Sequence, residues 1–332
     1  MDVLLLEDSP TKVANSARLV EEYGFDALWI QEQKQNPFVH LAVAATTTKK
    51  IGLGTAIALA FIRSPMDIAY TSWDLQKLSE GRLLLGLGTE VKGHLERRFS
   101  VKWDPPIPKM HEAIDSLRTI WDSWQTGKKL DFKGSFYNFS LMTPYFNPGS
   151  CEHPNIPIYV AGINKRMCVL AGELCQGIHV HPVHTAKYLR ESIIPNVMEG
   201  VAKAGRQRND VELIIPVFAI VGSNNSERAK SLNFVRSQIA FYASTKAYRP
   251  VLETHGWGDI ADKLNGLSLK GQWDTMSSLV TEDMLNEIAI EGTWDSLHSQ
   301  IEERYKDIAD RVYIYQPFDN DPGWKQVLQH SN

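Results

Sequence analysis

Apolar residues gather in short unbroken runs along this chain, at 3–6, 27–30, 51–59, 83–87, 156–160, 177–180, 213–221 and 311–315. A strand with one wet face alternates apolar and polar positions. Unbroken runs belong to strands covered on both faces, as in a parallel sheet sheltered by helices. Helix starts separate the first four runs. Ser9-Pro10, Asn36-Pro37 and Ser64-Pro65 each place a capping side chain before a proline at the first helical position. Behind the first of them, Val13, Ala17 and Val20 recur at helical spacing, and Gly24 marks the stop. Eight strands with helices between them predict an α/β fold, the (β/α)8 TIM barrel. The doubly wound open sheet is its rival.

Two stretches exceed an ordinary strand-to-helix connection. The first insertion, at about 89–155 after strand four, contains a predicted helix at 110–124. A hairpin at 130–139 then turns at Gly134-Ser135, and its Phe132, Phe136, Tyr137 and Phe139 are expected to cover the barrel. The second, at about 225–310 after strand seven, is mainly helical and is expected to wall the catalytic face. With no linker or low-complexity segment, residues 1–332 read as one domain.

Composition narrows the function. A net charge of −4 gives no basic field for nucleic acid. No apolar run approaches the roughly 20 residues that span a bilayer. Three cysteines make no disulfide framework, and no basic segment precedes the first strand, so the reading is a soluble cytoplasmic protein acting on a small molecule.

The run Gly-Leu-Gly-Thr ends two strands, at Gly52–Thr55 and again at 86–89. A dinucleotide fingerprint needs a third glycine where Ile57 and Val91 stand, so that motif is absent. Glycine at a strand end instead lets a neighbour or a ligand approach the backbone. In a barrel these ends form the catalytic rim, so a flat ligand lying across them is expected, with side-chain packing as the alternative.

Charged candidates cluster after the same strands. His94, Arg97 and Arg98 share a face if their segment is helical, which suits an anionic ligand tail; a self-paired solvated turn is the plainer reading. His179 and His181 point the same way on a strand, a two-ligand metal geometry, but strand one offers only Glu7 and Asp8 as further ligands. No metal is assigned, and His181 is the rim candidate. Gly162, Ile163, Asn164 and Lys165 open a helix after strand five, where backbone amides can hold a phosphate; a routine turn capped by Asn164 is the alternative. Glu32, after strand two, offers a carboxylate for acid, base or hydrogen-bond work.

Taken in order, several segments resemble the bacterial-luciferase-like superfamily of flavin and deazaflavin oxidoreductases. They are Gly24-Phe25-Asp26-Ala27-Leu28-Trp29, Asn36-Pro37-Phe38, the two glycine runs, Arg63-Ser64-Pro65, Leu78-Ser79-Glu80-Gly81-Arg82, Pro157-Ile158-Tyr159-Val160-Ala161-Gly162 and Glu291-Gly292-Thr293. Arg97-Arg98-Phe99-Ser100, Leu141-Met142-Thr143-Pro144 and His255-Gly256-Trp257-Gly258 look most like the coenzyme F420-dependent branch. The resemblance implies hydride transfer at C5 of a tricyclic ring held at the barrel mouth. It implies a cis peptide at Ala56-Ile57 backing the ring, with Thr89 beside it and phosphate contacts from Gly162 to Lys165. His94 falls at a position that contacts the ring region. Glu32-Gln33 replaces the Asp-His pair, and Val91 the glutamate, of the branch's sugar-phosphate dehydrogenases, which leaves the acid/base residue unassigned. An FMN-dependent monooxygenase, a non-catalytic flavin-binding barrel and a metal-dependent hydrolase are the other readings. A homodimer is the expected assembly.

Overall fold

In the computed structural model, which describes residues 1–319 and 321–328, eight parallel strands close on themselves. They are β1 (Asp2–Leu5), β2 (Ala27–Ile30), β3 (Gly52–Thr55), β4 (Leu83–Gly88), β5 (Ile158–Gly162), β6 (Gly177–Val180), β7 (Glu212–Ile220) and β8 (Arg311–Pro317). Each pairs with the next in parallel. β8 returns to β1 through Asp2↔Tyr313 and Val3↔Ile314. That closure removes the open-sheet rival and establishes the (β/α)8 barrel.

Helices α1 (Pro10–Tyr23), α2 (Pro37–Thr47) and α3 (Pro65–Leu78) begin at the three expected places. Ser9, Asn36 and Ser64 accept hydrogen bonds from the amides of Lys12, Phe38 and Met66. Gly24 ends α1 at φ +94°, in the left-handed region that glycine adopts without steric cost.

The apolar run 51–59 is two strands rather than one. β3 stops at Thr55, the Ala56–Ile57 peptide is cis, and Ala58–Leu59 pairs separately with β4. Apolar patterning reports burial, and all but two of these residues are buried, so the break left no trace in it. The helix expected at 110–124 spans Pro106–Thr126 as α5. Its prolines occupy the first turn, where missing N–H groups cost nothing. The expected hairpin pairs Phe132–Lys133 with Asn138–Phe139, and its turn is held by the Glu112 carboxylate, which accepts the amides of Ser135, Phe136 and Tyr137.

The segment 225–310 is largely helical, with long helices at Asn225–Ala243, Gly258–Leu269 and Trp294–Tyr305. A short strand, Ala289–Glu291, extends the sheet from the outer end of β7.

Packing fills the glycine positions. An added Cβ would lie 2.1 Å from the Trp29 indole at Gly54, 2.0 Å from the Thr55 carbonyl oxygen at Gly86 and 2.4 Å from Ile57 Cδ1 at Gly88. Protein neighbours thus fill the space at these three glycines, the packing alternative. Trp29 pairs in register with Gly54 and stands edge-on to His179 at 4.6 Å, so bulky and absent side chains alternate across the barrel interior.

Candidate functional site

The C-terminal rim is built strand by strand. Glu32 follows β2, and its carboxylate is fully engaged. Arg63 donates to Oε2 at 2.7 Å and to Oε1 at 2.6 Å, and the Leu59 amide donates to Oε2 at 2.7 Å. Arg63 also donates to the Leu59 carbonyl. These bonds clasp the chain beyond Ala56 and Ile57. The Ala56 amide donates to the Ile30 carbonyl, and the Ile57 carbonyl accepts from the Glu32 amide. Ile57, half-buried, lies over Gly88.

After β4 comes Thr89, half-buried, and then the short helix α4 (Lys92–Arg97). Glu90 adopts φ +63°. Its Oε1 accepts the Val91 amide at 2.8 Å and lies 3.2 Å from His94 Nδ1. The segment of His94, Arg97 and Arg98 is helical as expected, but the three side chains take different partners. Arg98 caps the helix, donates to the Gln33 carbonyl at 2.6 Å and lies over the Phe99 ring. Arg97 stays exposed and, among the described residues, donates only to the Gly93 carbonyl, at 3.4 Å.

β5 leads through Gly162 and the buried Ile163 into α6 (Lys165–Leu174). Asn164 occupies the N-cap, but its side chain does not cap the helix; it donates to the Ala247 carbonyl at 3.1 Å. Among the described residues the first amides of α6 therefore have no side-chain acceptor, the arrangement that binds anions at a helix start. The Lys165 ammonium turns aside to Glu199 at 2.8 Å, so the backbone there, not this lysine, offers the donors. Tyr188 donates its hydroxyl to the Ile163 carbonyl and steadies the turn.

At β6 the histidines separate. His179 is buried in the barrel, and among the described residues neither nitrogen has a hydrogen-bond partner. His181 reaches the rim, where its ring stacks on Tyr248 at 3.7 Å and meets Tyr242 edge-on at 4.6 Å. Among the described residues no cluster of three histidine, cysteine or acidic side chains is placed to hold a metal ion. Burial pushes the His181 imidazole down to about 3, so it is neutral at neutral pH. Its Nδ1 accepts the Val183 amide, which leaves the proton on Nε2. The hydroxyls of Tyr242 and Tyr315 share a hydrogen bond of 2.7 Å. Burial, with the Tyr315 and Glu90 charges, pushes the Tyr248 phenol up to about 12. One side of the rim is thus aromatic and uncharged, and the side at α4 is charged. Sequence reading passed over Glu90, Tyr242, Tyr248 and Tyr315. Only Glu90 carried a signal, its place directly after the second glycine run.

A cavity of about 610 Å³ opens at the opposite, N-terminal end of the barrel. Its walls include Asp26, Glu302, Glu303, Asp307 and Asp310, which repel an anionic ligand. In barrels that end carries stability and the other carries chemistry.

Residues 3–311 match the family described as luciferase-like monooxygenase. An uncharacterised protein of Mycobacterium tuberculosis is 40% identical over 301 residues, 91% of this chain and 88% of its own length. The 5,10-methylenetetrahydromethanopterin reductase of Archaeoglobus fulgidus is 30% identical over 274 residues, 80% of this chain and 78% of its own. Among solved structures, the coenzyme F420-dependent tetrahydromethanopterin reductase of Methanopyrus kandleri superposes with a TM-score of 0.80 at 24% identity, covering 99% of this chain and 96% of that one. Among the described residues no helix is long and apolar enough to cross a membrane.

Proposed function

The chain belongs to the luciferase-like monooxygenase family, an F420- or flavin-dependent group of oxidoreductases, and from that premise we propose that it uses coenzyme F420 to move a hydride to or from a small organic substrate. The observation that carries this reading is the uncapped start of α6, where Asn164 spends its amide on Ala247 and leaves backbone donors for a phosphate. Arg97 supports it, since no carboxylate pairs with its guanidinium among the described residues and a polyanionic tail can.

When bound, the deazaflavin supplies a hydride centre at C5. The residues of this chain do the rest. Gly162, Ile163, Asn164 and Lys165 hold the phosphate through their backbone. Arg97 and Arg98 hold the acidic tail. Ala56, Ile57 and Thr89 back the ring, and the Glu32–Arg63 clasp keeps that backing in place. His181, neutral and fixed in one tautomer, presents its edge to the substrate side, and the Tyr242 and Tyr248 rings exclude water there. His94 stands at the charged side of the same mouth. A cytoplasmic homodimer belongs to this reading through the family resemblance.

Spectroscopic titration with F420 and with FMN tests it. Tight binding of F420 with weak or no binding of FMN is the expected result. Binding of FMN alone moves the protein to the monooxygenases. Binding of neither returns the non-catalytic barrel and the metal hydrolase, which metal analysis of the purified protein separates.

A further inference from the structure

The aromatic wall at the rim end of β6 is assembled from distant parts of the chain. His181 follows β6, Tyr315 lies near the end of β8, and Tyr242 and Tyr248 come from the helical segment 225–310. His181 and Tyr248 stack at 3.7 Å with 22° between their planes, and Tyr242 meets His181 edge-on. These three side chains are only partly buried, so their rings keep free surface.

The wall holds protons without acceptors. His181 Nδ1 takes the Val183 amide at 3.2 Å, so Nε2 carries the proton, and among the described residues Nε2 has no acceptor. The Tyr242 and Tyr315 hydroxyls share one hydrogen bond; whichever donates, the other keeps a proton to give. A ligand seated here has to bring the acceptor. No charge stands behind these donors. The arginines of the same segment turn to carboxylates: Arg228 to Glu291, Arg236 to Glu282, and Arg249 to Glu253 and Asp262. Lys187 donates to the Thr254 carbonyl at 2.9 Å, and Lys246 is exposed to solvent. A phosphate or carboxylate pressed against this wall would lose water and meet no countercharge. A flat conjugated body gains from the same rings by stacking or edge contact.

We propose that His181, Tyr242 and Tyr248 form the substrate subsite and that it takes uncharged, flat, conjugated carbonyl compounds, with the carbonyl oxygen on His181 Nε2–H and the ring body against Tyr242 and Tyr248. The inference rests on the function proposed above and narrows its substrate to one chemical class. Sugar phosphates and other anions fall outside that class.

The test is calorimetric titration of the full-length protein, with and without oxidised F420, which donates no hydride. The probes are acetonaphthone, the same ketone bearing a carboxylate on its far ring, cyclohexyl methyl ketone and glucose 6-phosphate. Acetonaphthone is expected to bind at least about tenfold more tightly than each of the other three. Tyr248→Leu is expected to weaken acetonaphthone at least about fivefold and to leave F420 affinity within about threefold of wild type. Tyr248→Phe, which keeps the ring, is expected to hold acetonaphthone within about twofold. The carboxylated ketone or glucose 6-phosphate bound as tightly as acetonaphthone overturns the proposal. So does an acetonaphthone affinity that Tyr248→Leu leaves unchanged, or no binding of acetonaphthone in either cofactor state. Acetonaphthone bound through Tyr248 by a protein that does not bind F420 instead removes the hydride-transfer reading and leaves the subsite standing.

Discussion

Glu32 and Arg63 meet in a two-bond ion pair, 2.6 and 2.7 Å, with side chains only 9% and 12% exposed. A carboxylate committed in this way, and bonded to the Leu59 amide as well, is expected to brace the rim rather than exchange protons. Arg63→Ala strands a buried charge, and urea unfolding should show a loss of about 3–5 kcal/mol. Glu32→Gln should lower stability and F420 affinity together. A Glu32→Gln enzyme with wild-type stability and lost turnover would return Glu32 to the chemistry.

The barrel was legible because burial on both faces writes itself as unbroken apolar runs, and because Ser9, Asn36 and Ser64 announce helices that capping chemistry enforces. The rim was legible only in part. Glu32 stands where a catalytic carboxylate is expected, yet its role is decided by Arg63, 31 residues away. Tyr248 and Tyr242 join His181 from a distant helical segment, and nothing local marks them. Arg97 and Arg98 are neighbours in sequence, but the end of α4 falls between them and sends them to different partners.

Gly86 is pinned by backbone, since a Cβ there would lie 2.0 Å from the Thr55 carbonyl oxygen. Gly86→Ala should cost at least about 1–3 kcal/mol, the usual range for overpacking, with a lowered Tm. Gly266→Ala is the control. Its added Cβ meets nothing within 4 Å on the helix Gly258–Leu269, and it should gain up to about 1 kcal/mol from helix propensity.

Acid should destabilise the fold through its buried histidines. Burial pushes His179 down to about 3 and His184 to about 4, both below the free value of 6.5. Between those values the unfolded chain binds protons that the folded chain refuses. Stability is therefore full above about pH 6.5 and falls as pH drops toward 4, by up to about 1.4 kcal/mol per pH unit for each histidine. Urea midpoints at pH 7 and pH 5 should lie closer together in His179→Leu than in wild type. An equal separation would show that His179 does not contribute.

If Arg97 engages an acidic tail, F420 affinity should fall as ionic strength rises, because exposed charges are screened within about 8–10 Å at 0.1–0.15 M salt. Arg97→Ala should weaken binding at low salt and flatten the salt dependence. An affinity indifferent to both changes removes Arg97 from the site.

A crystal structure of the protein with F420 bears most directly on where the chemistry sits. The three fused rings are expected in the mouth against Ala56, Ile57 and Thr89, with a phosphate at the first amides of α6. Rings bound elsewhere, for example in the acidic cavity between Asp26 and Glu302, or a phosphate away from residues 162–165, would contradict it.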